Sequence, residues 1–103
     1  MHSTIAAKLD DIVRLCREHG VKRLEIFGSA ARGDDFDPER SDADFLVEFN
    51  SISRDDPFGQ VFRFEDSLTA LLGREVDLIE GLTVRNPYLQ KAIDRDRQVL
   101  YVA

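Results

Sequence analysis

The side chains best equipped for chemistry crowd into one stretch of the chain. Between Asp34 and Asp44 stand six carboxylates, countered by one arginine, Arg40. Like charges packed this way repel, so a cation is expected among them. In "SDADFLVEF" the two aspartates Asp42 and Asp44 flank Ala43. Residues i and i+2 of a strand point to the same side, so both carboxylates share a face, while Ala43, Phe45, Val47 and Phe49 take the apolar one. Two carboxylates at this spacing suit magnesium, a hard ion that takes one or two protein carboxylates and completes its shell with substrate phosphates. "VDL" at Val76 to Leu78 repeats the device, with Asp77 pointing away from its apolar neighbours. An aspartate in that setting is costly unless a charge compensates it. With the two strands adjacent and in register, three carboxylates could hold two metals about 4 Å apart, the clamp used in phosphoryl transfer. The plainer alternatives are a solvated strand mouth at "SDAD" and an edge strand on which Asp77 faces water. A calcium loop of the EF-hand kind is excluded, because its glycine and terminal glutamate spacing is missing.

A second feature precedes the carboxylates. Gly28 has no Cβ, so backbone can approach a ligand closely there. Ser29 follows where a short helix is expected, and amides plus a hydroxyl at a helix start bind phosphate well. Arg32 lies one turn further along and places a guanidinium near such an anion. Gly33 lets the chain leave the turn. The alternative is that Ser29 caps the helix and Gly28 makes the bend. The P-loop pattern is absent, so any phosphate site here is of another kind.

These residues need a scaffold, and hydrophobic spacing supplies it. Ile5, Leu9, Ile12 and Cys16 predict a first helix over about Ser3 to His19, capped at Ser3 or Thr4 and stopped at Gly20. "VKRLEIF" alternates as a strand from Val21 to Phe27, followed by the turn and a short helix across Ala30 to Arg32. "ADFLVEF" is the second strand. Asp56-Pro57 starts a helix carrying Val61, Phe64, Leu68 and Leu71 and ending at Gly73. "EVDLIE" is the third strand, Asn86-Pro87 opens a helix to about Asp94, and "QVLYV" is the fourth strand. This αβαβαβαβ order predicts a two-layer α/β domain, a small mixed sheet with helices packed on it.

The 103 residues suit one domain, and 43% apolar with 33% charged residues suits a soluble globular protein. No apolar run approaches the roughly 20 residues of a membrane span, and no export signal opens the chain. The single cysteine, Cys16, excludes an internal disulfide and fits a reducing cytoplasm. A net charge of −6 speaks against unspecific nucleic-acid binding and favours a metal ion or a basic partner.

"GSAARG", then "SDAD", then a strand with "VDL" resembles the minimal nucleotidyltransferases of the DNA polymerase β type, over nearly the whole chain. Twelve residues, Ala30 to Ser41, separate Ser29 from Asp42, slightly more than usual, which fits a longer loop at "DDFDPER". The resemblance implies a nucleotidyltransferase fold in one domain spanning 1–103 and a role for each matching residue. Gly28 and Ser29 would hold the β- and γ-phosphates of ATP. Asp42 and Asp44 would ligate two magnesium ions, and Asp77 would ligate the catalytic ion and help deprotonate the acceptor hydroxyl. Arg32 is an electrostatic addition to this set.

A helical domain that orients the acceptor is usual in larger members and has no counterpart here. Orientation weighs heavily on rate, so a partner is expected to supply it. Short stand-alone domains of this kind resemble the MntA-like antitoxins of HEPN/MNT (type VII) toxin–antitoxin pairs. That likeness implies transfer of AMP from ATP to a tyrosine of a HEPN ribonuclease toxin, and a net charge of −6 suits docking on a basic ribonuclease. Two alternatives stay open: a non-catalytic antitoxin acting by occlusion, and a small-molecule nucleotidyltransferase completed by a helical subunit. Elsewhere structural roles are expected. Cys16 falls on the apolar stripe of the first helix, His19 meets that helix's dipole, His2 is terminal and mobile, and Tyr88 and Tyr101 pack or face water. Two histidines and one cysteine so far apart make no zinc site.

Overall fold

The structure, a computed structural model, describes residues 1–33, 43–51, 55–80 and 85–103. Four strands form one sheet: β1 Val21–Phe27, β2 Ala43–Phe49, β3 Val76–Glu80 and β4 Gln98–Val102. Their spatial order is β3-β2-β1-β4. β1 runs antiparallel to both β2 and β4, whereas β2 and β3 are parallel. The sheet is therefore mixed, as the alternation of elements predicts. The parallel pair follows from the helix between its members, since parallel neighbours need a crossover connection.

That crossover is α4, Pro57–Leu72. Asp56 caps it, its carboxylate accepting from the Gly59 amide at 3.0 Å, with proline in the first turn. Its inner stripe of Phe64, Leu68 and Leu72 is buried. These side chains pack with Ile5, Ile12 and Cys16 against Leu24, Ile26, Phe45 and Val47, forming the main core on one face of the sheet. The apolar face predicted for β2 is thus the one that carries the core.

The first predicted helix is two. α1 spans Ser3–Ala6 and α2 spans Leu9–Glu18, parted at Lys8, whose backbone (φ −105°, ψ 8°) leaves the helical range. The cause lies at the chain start. The His2 amide donates to the Ala30 carbonyl at 2.8 Å, and its ring Nδ1 caps α1 by accepting from the Thr4 amide at 3.1 Å. His2 is held in place, contrary to the mobility expected of a terminal residue. Anchoring there fixes the direction of α1 independently of the sheet that directs α2.

The opposite face of the sheet carries less. α5, Pro87–Asp96, begins at Asn86, whose side chain accepts from the Tyr88 and Leu89 amides. Its Ile93 and Leu89 pack on Phe27, Leu46 and Ile79. Glu25 also lies on this face and is 2% exposed. Burying a lone carboxylate is costly, and here Arg97 and Arg23 meet it: Arg97 Nε donates to Oε1 at 3.2 Å and Arg23 at 3.1 Å. Burial pushes the Glu25 carboxyl up, but the hydrogen bonds from Arg97 and Arg23 outweigh it and leave the group below its ordinary value. This pair ties the start of β4 to the middle of the sheet.

Candidate active site

The register of the parallel pair decides where the carboxylates go. Asp44 of β2 and Asp77 of β3 are direct partners, between the pairs Ala43–Val76 and Phe45–Leu78. Paired residues on neighbouring strands project from the same side, with backbones about 4.8 Å apart. Both aspartates stand on the α5 face, two residues before Leu46 and Ile79. Asp44 is half-buried and Asp77 exposed. Two negative charges roughly 5 Å apart repel by about 1 kcal/mol even in water, and by more where Asp44 is shielded from it. Asp42, expected to join them, lies outside the described residues. Among the described residues no group of three or more histidine, cysteine or acidic side chains stands close enough to hold a metal ion.

The glycine-serine turn abuts this pair. Phe27, the last residue of β1, is the partner of Asp44 across the antiparallel ladder, so Gly28 arrives beside the aspartate. Gly28 adopts φ 71° and ψ −154°, a backbone region restricted in practice to glycine. A Cβ placed there would meet Asp44 Oδ2 at 2.8 Å. The missing side chain is the space into which the Asp44 carboxylate fits. Ser29 opens α3, Ser29–Arg32, and the carbonyl of Gly28 accepts from the amides of Ala31 and Arg32 at 3.1 Å each. The short helix is one residue longer at its start than predicted.

Oxygen donors from two carboxylates on adjacent strands, with room made by a glycine, fit a hard divalent ion such as magnesium. Each predicted residue within the described structure can thus be located. Gly28, Ser29, Asp44 and Asp77 gather at one end of one sheet face.

Arg32 lies one turn beyond Ser29, where the spacing puts it, and its Nη1 donates to Asp96 Oδ2 at 2.6 Å. Asp96 also accepts from Arg95 at 3.1 and 3.2 Å, and its side chain is 6% exposed. These hydrogen bonds, that of Arg95 foremost, hold its carboxyl below the ordinary value against the opposing effect of burial. The three arginines Arg32, Arg95 and Arg97 surround a cleft of about 300 Å³ next to α3. Asp96 was not among the residues that sequence reasoning selected. The alternating "DRDR" at Asp94 to Arg97 was its only local signal, and its partner is 64 positions away.

Cys16 is fully buried, and burial pushes its thiol up to about 12. That agrees with a core role. His19 caps α2, its Nε2 lies 3.2 Å from Ser67 Oγ, and its ring packs on Phe64 at 5.5 Å. No helix among the described residues is long and apolar enough to cross a membrane.

A mixed four-stranded sheet that brings aspartates of neighbouring strands to a glycine-serine turn defines a class, the nucleotidyltransferases. The chain belongs to the polymerase beta nucleotidyltransferase family, whose pattern matches residues 10–103. It is 38% identical, over 93% of its length and 96% of the relative's, to a Methanocaldococcus jannaschii protein that carries the provisional name protein adenylyltransferase MJ0128. A solved structure provisionally described as a minimal nucleotidyltransferase superposes with a TM-score of 0.71 at 31% identity, covering 95% of both chains. A complex of tri-AMPylated Shewanella oneidensis HEPN toxin with MNT antitoxin matches with a TM-score of 0.65 at 16% identity, over 95% of this chain and 72% of that one. At that identity the last likeness speaks for the fold alone.

Proposed function

We propose that this protein is an antitoxin that transfers AMP from ATP to a tyrosine of a HEPN ribonuclease toxin. The observation that carries the reading is the pairing of Asp44 with Asp77 beside the Gly28-Ser29 turn. Asp42, Asp44 and Asp77 would hold two magnesium ions. When bound, those ions neutralise charge on the phosphates as it develops in the transition state.

The chain's own residues supply the rest. The Gly28-Ser29 turn grips the β- and γ-phosphates with backbone amides and a hydroxyl, and Arg32, one turn further on, would add positive charge only by sharing its guanidinium with Asp96. This would fix the α-phosphorus in line with the acceptor, a large contribution to the rate. Asp77 is exposed, so the acceptor can reach it. Its carboxylate takes the proton of the tyrosine hydroxyl as the phenolic oxygen attacks the α-phosphorus. The bond from that phosphorus to the bridging oxygen breaks, and pyrophosphate leaves with the electron pair. The product is a tyrosine carrying AMP through a phosphodiester.

The name of the Methanocaldococcus relative and the HEPN complex of similar fold support this choice of reaction and partner. The net charge of −6 suits a basic ribonuclease, and it makes direct contact with RNA unfavourable. On this reading a single minimal domain acts in the cytoplasm, where ATP is abundant and Cys16 stays reduced.

The test is to incubate the protein with magnesium, ATP and a HEPN ribonuclease and to weigh both chains intact. An AMP-sized gain on the ribonuclease is expected, absent with Asp44→Asn and with Asp77→Asn. Asp77→Asn should still fold and bind the ribonuclease. A ribonuclease silenced equally by both variants, with no gain in mass, would replace transfer by simple occlusion.

A further inference from the structure

The outer face of α4 carries a stripe that the fold does not use. Phe58, Phe62 and Asp66 follow at i, i+4 and i+8, so they line one side of the helix, and the exposed Asp55 stands just before its start. Phe58 is 75% and Phe62 60% exposed, while Phe64 on the inner side is fully buried. With roughly 200 Å² per ring, the two phenyls present about 250 Å² of aromatic surface to water. Two exposed rings side by side on one helix face, with charges at their margins, are aromatic anchors of the kind a partner buries.

The helix start beneath the patch is pinned. The Asp56 carboxylate occupies the space beside Gly59 that any larger residue would fill, its Oδ2 only 2.0 Å from where a Cβ would stand. Arg63 braces the same carboxylate at 3.1 Å, and Gln60 ties the helix to the Ser51 carbonyl at 3.0 Å. The backbone that carries the two rings is thus in place before a partner arrives.

We infer that the stripe Asp55–Phe58–Phe62–Asp66 is the docking surface for a basic protein partner, the ribonuclease of the proposed function, on which this inference rests. Charge selects the occupant. Aspartates stand at both ends of the aromatic pair, on a chain of net charge −6. A second copy would bring two acidic rims together, whereas a ribonuclease must be basic to hold RNA phosphates. Two phenyls seat in an apolar groove, and Asp55 and Asp66 meet lysines or arginines at its rim.

The test measures affinity for a HEPN ribonuclease by titration calorimetry without ATP, alongside the AMP-transfer assay. Phe58→Ala with Phe62→Ala should weaken binding by about thirtyfold or more, with an unchanged melting temperature. Asp55→Asn with Asp66→Asn should weaken it several-fold at low salt and flatten its salt dependence. Binding by the double phenylalanine variant within twofold of the wild type overturns the surface and leaves the proposed function standing. A wild-type chain that neither binds nor modifies the ribonuclease overturns both. Dimers of the wild type that the phenylalanine changes dissolve would assign the surface to a second copy and overturn the partner named here.

Discussion

Replacing Gly28 by alanine tests how the turn and the carboxylates depend on each other. The substitution acts twice. At φ 71° and ψ −154° a side chain forces a backbone conformation that costs about 1–3 kcal/mol. The new Cβ would also stand 2.8 Å from Asp44 Oδ2, so the carboxylate must swing aside. Because only the end of a short side chain has to move, the clash adds little to the loss of stability and much to the loss of function. For a domain of this size the melting temperature should fall by roughly 5–20 °C. Displacement of Asp44 by about 1 Å should slow transfer at least about 100-fold. Gly73→Ala is the control. It has φ 66° but nothing within 4 Å of its Cβ, so it should cost about 1–2 kcal/mol and keep full activity. Thermal unfolding by circular dichroism and mass-detected AMP transfer read the two effects separately. A Gly28→Ala protein that transfers AMP at the wild-type rate, as Gly73→Ala should, would refute the reasoning.

Two further outcomes follow from buried groups. Glu25 has a folded-state value below its ordinary 4.5, so its contribution to stability is complete above that pH and is lost as pH falls through the folded value. Glu25→Gln should flatten the acid limb of the stability curve. At pH 7 it should cost about 2–3 kcal/mol, the low end for a broken buried pair because Arg97 and Arg23 are partly solvated; chemical denaturation across pH measures both. Cys16, fully buried and with its thiol pushed up to about 12, should resist a thiol reagent at pH 8 in the native protein and react at once in denaturant.

Much of this architecture is written locally. Alternation in "ADFLVEF" separates the core side from the carboxylate side, and Asp56-Pro57 and Asn86-Pro87 mark two helix starts within a residue. The approach of Asp77 to Asp44 needed one further fact, the register of β2 on β3, which no local pattern encodes. Contacts between distant residues were illegible for the same reason. Arg97 reaches Glu25 across 72 positions and Arg32 reaches Asp96 across 64, and neither pair has a periodic signature. Leu46 is instructive in another way. Alternation puts it on the carboxylate face, where it is nonetheless buried under Ile93, because α5 covers part of that face. The break at Lys8 arises from the bond between His2 and Ala30, a tertiary anchor that overrides the helical period.

The central claim is that Asp77 shares bound metal with Asp44 at the phosphate turn. Manganese in place of magnesium makes this directly measurable, by paramagnetic titration in the presence of a non-hydrolysable ATP analogue. Wild-type protein should bind the ion with the nucleotide, and Asp44→Asn and Asp77→Asn should each weaken that binding at least about tenfold while remaining folded. Undiminished manganese binding by Asp77→Asn would contradict the account.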